Sequence, residues 1–186
     1  MSGLLDGKVA IVTGGAKGLG LGISRRLVRE GAKIVITGRE GAAAEAEAAR
    51  IREELGGEAI GFAADVGVKA DVEAMVERTV AHFGGLDILV NNAATLTPNI
   101  LLENKTDDML RRTLDIALWG SWWSMQAAFP HFRARGGGSV VNLSMAAQKS
   151  ATVAVQNQAS WTARRGAPGG RSPQGGPLRG RRRFWG

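Results

Sequence analysis

The 186 residues predict an α/β fold, a doubly wound parallel sheet with helices on both faces. Short continuous apolar runs recur, as expected of strands that helices cover on both sides. Between them lie longer stretches with helical spacing of apolar residues. The two kinds of run alternate along the chain, and right-handed crossovers then set the strands parallel.

In chain order, "KVAIVTGG" is a strand ending in glycines, and "LGLGISRRLVREGA" is a helix with Leu19, Ile23, Leu27 and Val28 on one face. "AKIVITGR" is the second strand, "EGAAAEAEAARIREELGG" an Ala/Glu-rich helix and "EAIGFAADV" the third strand. "KADVEAMVERTVAHFGG" is the next helix and "LDILVNNAA" the fourth strand. After a looser stretch, "TDDMLRRTLDIALWGSWWSMQAAFPHFRARGGG" predicts one long helix stopped by glycines, and "SVVNLS" a fifth strand. If that strand is last in the sheet, it leaves an apolar edge with unpaired backbone groups.

The net charge of +7 belongs to one end. Residues 1–161 hold 17 Lys and Arg against 17 Asp and Glu, whereas 162–186 add seven arginines among Gly and Pro and no acid. The expected division is therefore a folded domain over 1–161 and a disordered Arg/Gly/Pro-rich tail over 162–186. Such a tail can bind phosphate backbones, but Phe184 and Trp185 are its only aromatic residues from position 162 onward, which argues against nucleic acid as the partner. The chain has no cysteine, no signal-peptide pattern and no apolar run near the roughly 20 residues of a membrane span, so the expectation is a cytoplasmic protein with no membrane partner. His82 and His131 are isolated, and no metal site is expected.

The chemistry gathers at strand ends. "TGGAKGLG" puts Gly14, Gly18 and Gly20 at the first strand-to-helix turn, where missing side chains let a pyrophosphate approach the helix N-terminus. Asp65 closes the third strand, and Asn91, Asn92 and Ala93 close the fourth, both at the edge where such sheets bind ligands. In this order and spacing, from Lys8 to Ser144, the residues resemble the short-chain dehydrogenase/reductase family and its TGxxxGxG and NNAG-like motifs; Ala94 replaces the last glycine.

The resemblance implies a Rossmann-like sheet, incomplete on its C-terminal side, and an oxidoreductase acting on a small carbonyl or secondary alcohol. It implies that Gly14 and Gly20 line the pyrophosphate, Asp65 holds the adenine and Asn91 supports the central strands and the ribose side, with Gly18, Leu19, Val66 and Ala93 completing the cofactor contacts. At the end of the second strand, an acidic side chain selects NAD and a basic one NADP. Gly38 and Arg39 stand there with Lys17 in the glycine turn, which favours NADP(H); Glu40 keeps NAD(H) open. Trp119, Trp122, Trp123 and Gln126 on the long helix imply core packing or a homo-oligomer contact.

The catalytic set is broken. Ser144 matches the serine that holds the carbonyl. The relay Asn position holds Ala117, the Tyr position Asn157 and the Lys position Trp161. No register shift repairs this, because the chain has no tyrosine and its last lysine is Lys149. An amide and an indole cannot replace a titrating phenol and an ammonium, and a lost general acid alone forfeits about 10²–10⁴ in rate. The expectation is a chain inactive in the family's reaction, with a cofactor-binding pseudoenzyme as the alternative. Arg, Gly, Pro, Ala and Trp without Lys, Tyr, Asp or Glu is the composition of G/C-rich DNA read out of frame, so a frameshifted or truncated terminus is expected. Translating the coding DNA in its other two frames checks this: a Tyr-x-x-x-Lys followed by apolar strands is the expected outcome, and its absence from both frames disposes of the frameshift.

Overall fold

The computed structural model describes residues 3–95, 101–146 and 154–155. Five strands, β1 (Val9–Thr13), β2 (Lys33–Gly38), β3 (Ala59–Ala63), β4 (Ile88–Asn91) and β5 (Ser139–Asn142), form a parallel sheet in the order β3-β2-β1-β4-β5. The central strand β1 is buried at all five positions, so its side chains must be covered on both faces. Ala10, Ile34, Ile36 and Ala59 pack under α1 (Gly18–Arg29) and α2 (Gly41–Leu55), with Val28, Ala44, Ala48 and Ile51 from the helices. Val9, Ile11, Val35, Phe62 and Leu89 pack on the other face with Val72, Met75, Ala128 and Phe132 of α3 (Lys69–Phe83) and α5 (Gly120–Ala134). Alternate residues of one strand thus enter two different cores. The predicted doubly wound arrangement is the one observed.

Two local expectations change. The buried face of α1 is Gly20, Ser24 and Val28, not one led by Leu19, which is exposed. Small residues win there because the helix starts almost against the β1 turn: a Cβ at Gly20 would run into the Gly14 carbonyl, and Ser24 is fully buried. The long helix is continuous as expected but not uniform: α4 (Asp107–Leu114) passes through a π-helical stretch, Asp115–Trp119, into α5. Thr106 caps α4 by accepting the Met109 N–H, and Pro130 sits inside α5 on its exposed side. Trp123 packs against the core and stacks on Trp119 with ring centroids 6.0 Å apart, while Trp119 and Trp122 face outward with Leu110, Leu114, Leu118 and Phe129.

Strand β5 is the outer strand of the described sheet, with Val141 exposed. Beyond it, β6 (Met145–Ala146) and β7 (Ala154–Val155) form a two-residue antiparallel pair. Asn157, Trp161 and the basic segment 162–186 lie outside the described residues. Among the described residues, no helix is long and apolar enough to cross a membrane, and no cluster of His, Asp or Glu could hold a metal ion.

At the edge opposite the strand ends, the buried Asp87 gathers three elements. It accepts the Val9 N–H at 3.0 Å, Arg135 Nη2 at 3.0 Å and Lys8 Nζ at 3.3 Å. Burial opposes its ionisation, but Arg135, the Val9 N–H and Lys8 together hold its carboxyl below the ordinary value. A depressed native pKa contributes stability above the unfolded-state pKa, and that contribution is lost as pH falls through the native value. Asp87→Ala should therefore cost about 1–3 kcal/mol by urea denaturation near neutral pH, the exposed cations keeping it from being larger, and should flatten the acid limb below about pH 5.

Candidate functional site at the carboxyl edge of the sheet

Because all five strands are parallel, their carboxyl ends share one edge, and the order reverses direction between β1 and β4. That reversal opens a crevice where ligands of doubly wound sheets bind. Thr13 ends β1 and is buried. Its Oγ1 accepts the N–H groups of Asn92 and Ala93, each at 3.0 Å, and donates to the Val90 carbonyl at 3.2 Å. Asn92 Nδ2 donates back to the Thr13 carbonyl at 2.8 Å and to that of Gly14 at 3.2 Å. These bonds tie the β1 turn to the end of β4.

The turn itself depends on missing side chains. Gly14 has φ +63°, a left-handed conformation that other residues adopt at a cost, and a Cβ on Gly20 would run into the Gly14 carbonyl and the Asn92 amide. Helix α1 opens at Lys17 with no side-chain cap and no acid in its first turn, so its N–H groups and positive dipole end face the crevice mouth. Lys17, Gly18 and Leu19 are exposed there, and Gly20 is buried.

At the end of β2, Gly38 has open space where a Cβ would point, and Arg39 is exposed. Neither Arg39 nor Lys17 forms an ion pair among the described residues. At the end of β3, Asp65 Oδ1 accepts the Gly67 N–H at 2.9 Å, and Oδ2 is ion-paired with Arg112 of α4. Partial burial pushes its pKa up, but Arg112, the Gly67 N–H and the charge of Arg39 bring it below the ordinary carboxylate value. Val66 turns its side chain into the core and leaves only backbone for a ligand, its carbonyl lying against Gly120.

At the ends of β4 and β5, Asn91 is buried and donates from Nδ2 to Asn142 Oδ1 at 2.8 Å, while Leu143 N–H bonds the Asn91 carbonyl at 2.9 Å. Asn91 is thus placed between the two strands. Ser144 is exposed just past β5, on the same edge as Gly14, Asp65 and Ala93. Ala117 is exposed within the π-helical stretch, and its carbonyl accepts the Ser121 hydroxyl at 3.0 Å. Three contributors were not assigned a role from the sequence: Thr13, Asn92 and Arg112. The first two were visible in the flanks of the glycine and asparagine motifs; Arg112 had no local signal, since its partner is 47 residues away.

A sequence profile described as short chain dehydrogenase matches residues 8–166. The chain belongs to the short-chain dehydrogenase family. It is 40% identical over 139 residues to a 4-formylbenzenesulfonate dehydrogenase of Comamonas testosteroni, covering 75% of this chain and 55% of that protein. An uncharacterized oxidoreductase of Mycobacterium bovis is 35% identical over 159 residues, covering 84% of this chain and 62% of the relative. The solved L-sorbose reductase from Gluconobacter frateurii, complexed with NADPH and L-sorbose, superposes with TM-score 0.70 at 34% identity over 75% of this chain and 53% of that one. A short-chain dehydrogenase from Burkholderia cenocepacia in complex with NADP gives TM-score 0.64 at 41% identity over 68% and 51%. The chain therefore spans between about half and three-fifths of the length of these proteins.

Thr13→Val should leave the Asn92 and Ala93 N–H groups without their acceptor. A loss of about 1–3 kcal/mol is expected in thermal or chemical denaturation, with the sheet retained in far-ultraviolet circular dichroism.

Proposed function

We propose that this chain is an NADP(H)-binding member of the short-chain dehydrogenase family, derived from an oxidoreductase of small carbonyl compounds or secondary alcohols, in which cofactor binding outlasts efficient turnover. The observation that carries it is the β1–α1 turn. A Cβ would block the close approach at Gly20, the helix start has no side-chain cap, and neither Lys17 nor Arg39 is held in a direct ion pair among the described residues. These groups fit a pyrophosphate and, beside it, the extra phosphate that separates NADP from NAD. The NADP(H) complexes of the two solved relatives support the same choice, and Glu40 leaves weaker NAD(H) binding open.

When bound, the nicotinamide supplies or accepts hydride. The residues of this chain would bind and orient: Gly14, Gly18, Leu19 and Gly20 at the pyrophosphate, Lys17 and Arg39 at the ribose phosphate, Asp65 and the Val66 backbone at the adenine, and Asn91 and Ala93 on the nicotinamide ribose side. Ser144 would hold a substrate carbonyl. No proton donor stands in the family's Tyr position, which is Asn157, and Trp161 and Ala117 replace the other two partners. Loss of a positioned acid alone raises the barrier by about 3–5 kcal/mol.

Trp119, Trp122 and the neighbouring leucines favour a second reading that can accompany the first, a partner-binding role through this apolar face, with a second copy of the chain as the occupant. Sedimentation that stays monomeric up to high micromolar concentration would remove it. The cysteine-free composition and the balanced charge of residues 1–161 support a cytoplasmic domain there, with 162–186 as a separate basic tail and nucleic acid a lesser partner.

Titration of NADPH fluorescence checks the main reading. The unaltered chain should bind NADPH more tightly than NADH, and Lys17→Ala with Arg39→Ala should remove about tenfold or more of NADPH affinity while changing NADH little. Turnover over a panel of carbonyl compounds should remain about 10²-fold or more below that expected with an intact acid. Equal affinity for the two nucleotides before and after the substitutions would reject the NADP assignment.

A further inference from the structure

We infer that Arg112 is a positioning residue of the cofactor site, aiming the Asp65 carboxylate at the adenine edge of NADP(H). The inference rests on the reading above that Asp65 meets the adenine. Arg112 is on α4, outside the strand-end turns from which the rest of that subsite is built. Its Nη2 is paired with Asp65 Oδ2, while the Gly67 N–H holds Oδ1 at 2.9 Å and Asp71 Oδ2 accepts the Asp65 N–H at 2.9 Å. A donor on each oxygen and an acceptor on the backbone fix the plane of the carboxylate, and each oxygen keeps a second lone pair for a ligand donor. The guanidinium also lies over Gly67, where a Cβ would come within 2.5 Å of Nη1.

The mooring involves the whole helix. Eight residues further on, Gly120 lies against the Val66 carbonyl, where a Cβ would come within 2.6 Å of that oxygen. The helix therefore contacts the same 65–67 turn at two points, with the π-helical stretch Asp115–Trp119 between them. Drawing those five residues into regular α-helix would rotate one point relative to the other by roughly 100°. Arg112 could not then reach Asp65 while Gly120 stayed on Val66.

An adenine offers Asp65 a 6-amino donor, whereas hypoxanthine presents a 6-oxo acceptor in its place. The unaltered chain should bind NADPH about tenfold or more tighter than its hypoxanthine analogue, because a site built to accept a hydrogen bond rejects a ligand that lacks the donor. In Arg112→Met the ratio should fall to about threefold or less, since Asp65 loses one of the two donors that orient it. Arg112→Lys should fall between, keeping the charge but losing the planar fork. If the methionine variant does not fold, a lysine variant that melts normally reads the same ratio. A merely structural Arg112 would weaken both dinucleotides equally, and an unchanged ratio in a folded variant overturns the inference. Equal binding of the two dinucleotides by the unaltered chain also overturns it while leaving the NADP(H) reading intact. Failure to bind either rejects both.

Discussion

The hydroxyl of Thr13 joins the two halves of this sheet. It receives two backbone N–H groups from the end of β4 and donates to a third backbone group, Val90, so where the strand order reverses a side chain of the central strand extends the β1–β4 pairing to the strand ends. The crevice exists because β1 and β4 are held side by side while their following turns lead to opposite faces. With that tie in place, Asn92 can reach the carbonyls of Thr13 and Gly14, and the glycine turn acquires a fixed wall.

Packing on either side of the crevice follows from size. On the α1 and α2 face small residues on the helices let helix and strand approach: Gly20 and Ser24 on α1, and Ala44 on α2 over Gly61 of β3. The α3 and α5 face is filled by larger residues, among them Met75, Leu86, Leu89 and Phe132. Close approach on the first face brings the α1 N-terminus to the strand ends, where its dipole and Lys17 act together. The second face carries α4 and α5, whose outer side is apolar and whose inner side reaches Asp65 through Arg112. The Asp65–Arg112 pair at the carboxyl edge and the exposed apolar face therefore share one helical unit.

Much of this was legible in the sequence. The continuous apolar strands, the glycine turn, Asp65 and the two asparagines ending β4 were each readable because their signals are local: a period, a turn requirement or a strand end. The α1 face was misjudged because apolar spacing predicts burial by hydrophobicity, whereas the contact here is limited by space, which favours Gly20 and Ser24 over Leu19. The long helix is legible, but its π turn is not, because nothing in "DIALWG" forbids regular α-helix; on either side of that turn Arg112 meets Asp65 and Gly120 meets Val66.

The sequence by itself determined the layer architecture, the glycine turn between β1 and α1, the family and the absence of tyrosine, since these depend on residue type and on short spacings. Only the tertiary structure decided which groups are engaged. Asp65 meets a guanidinium 47 residues away, Asn91 reaches across to Asn142 of the neighbouring strand, Val66 turns its side chain into the core, and Lys17 and Arg39 are exposed without a direct ion pair among the described residues. Such pairings join elements far apart in the chain, and no periodicity encodes them; they exist once five parallel strands bring all their carboxyl ends to one edge.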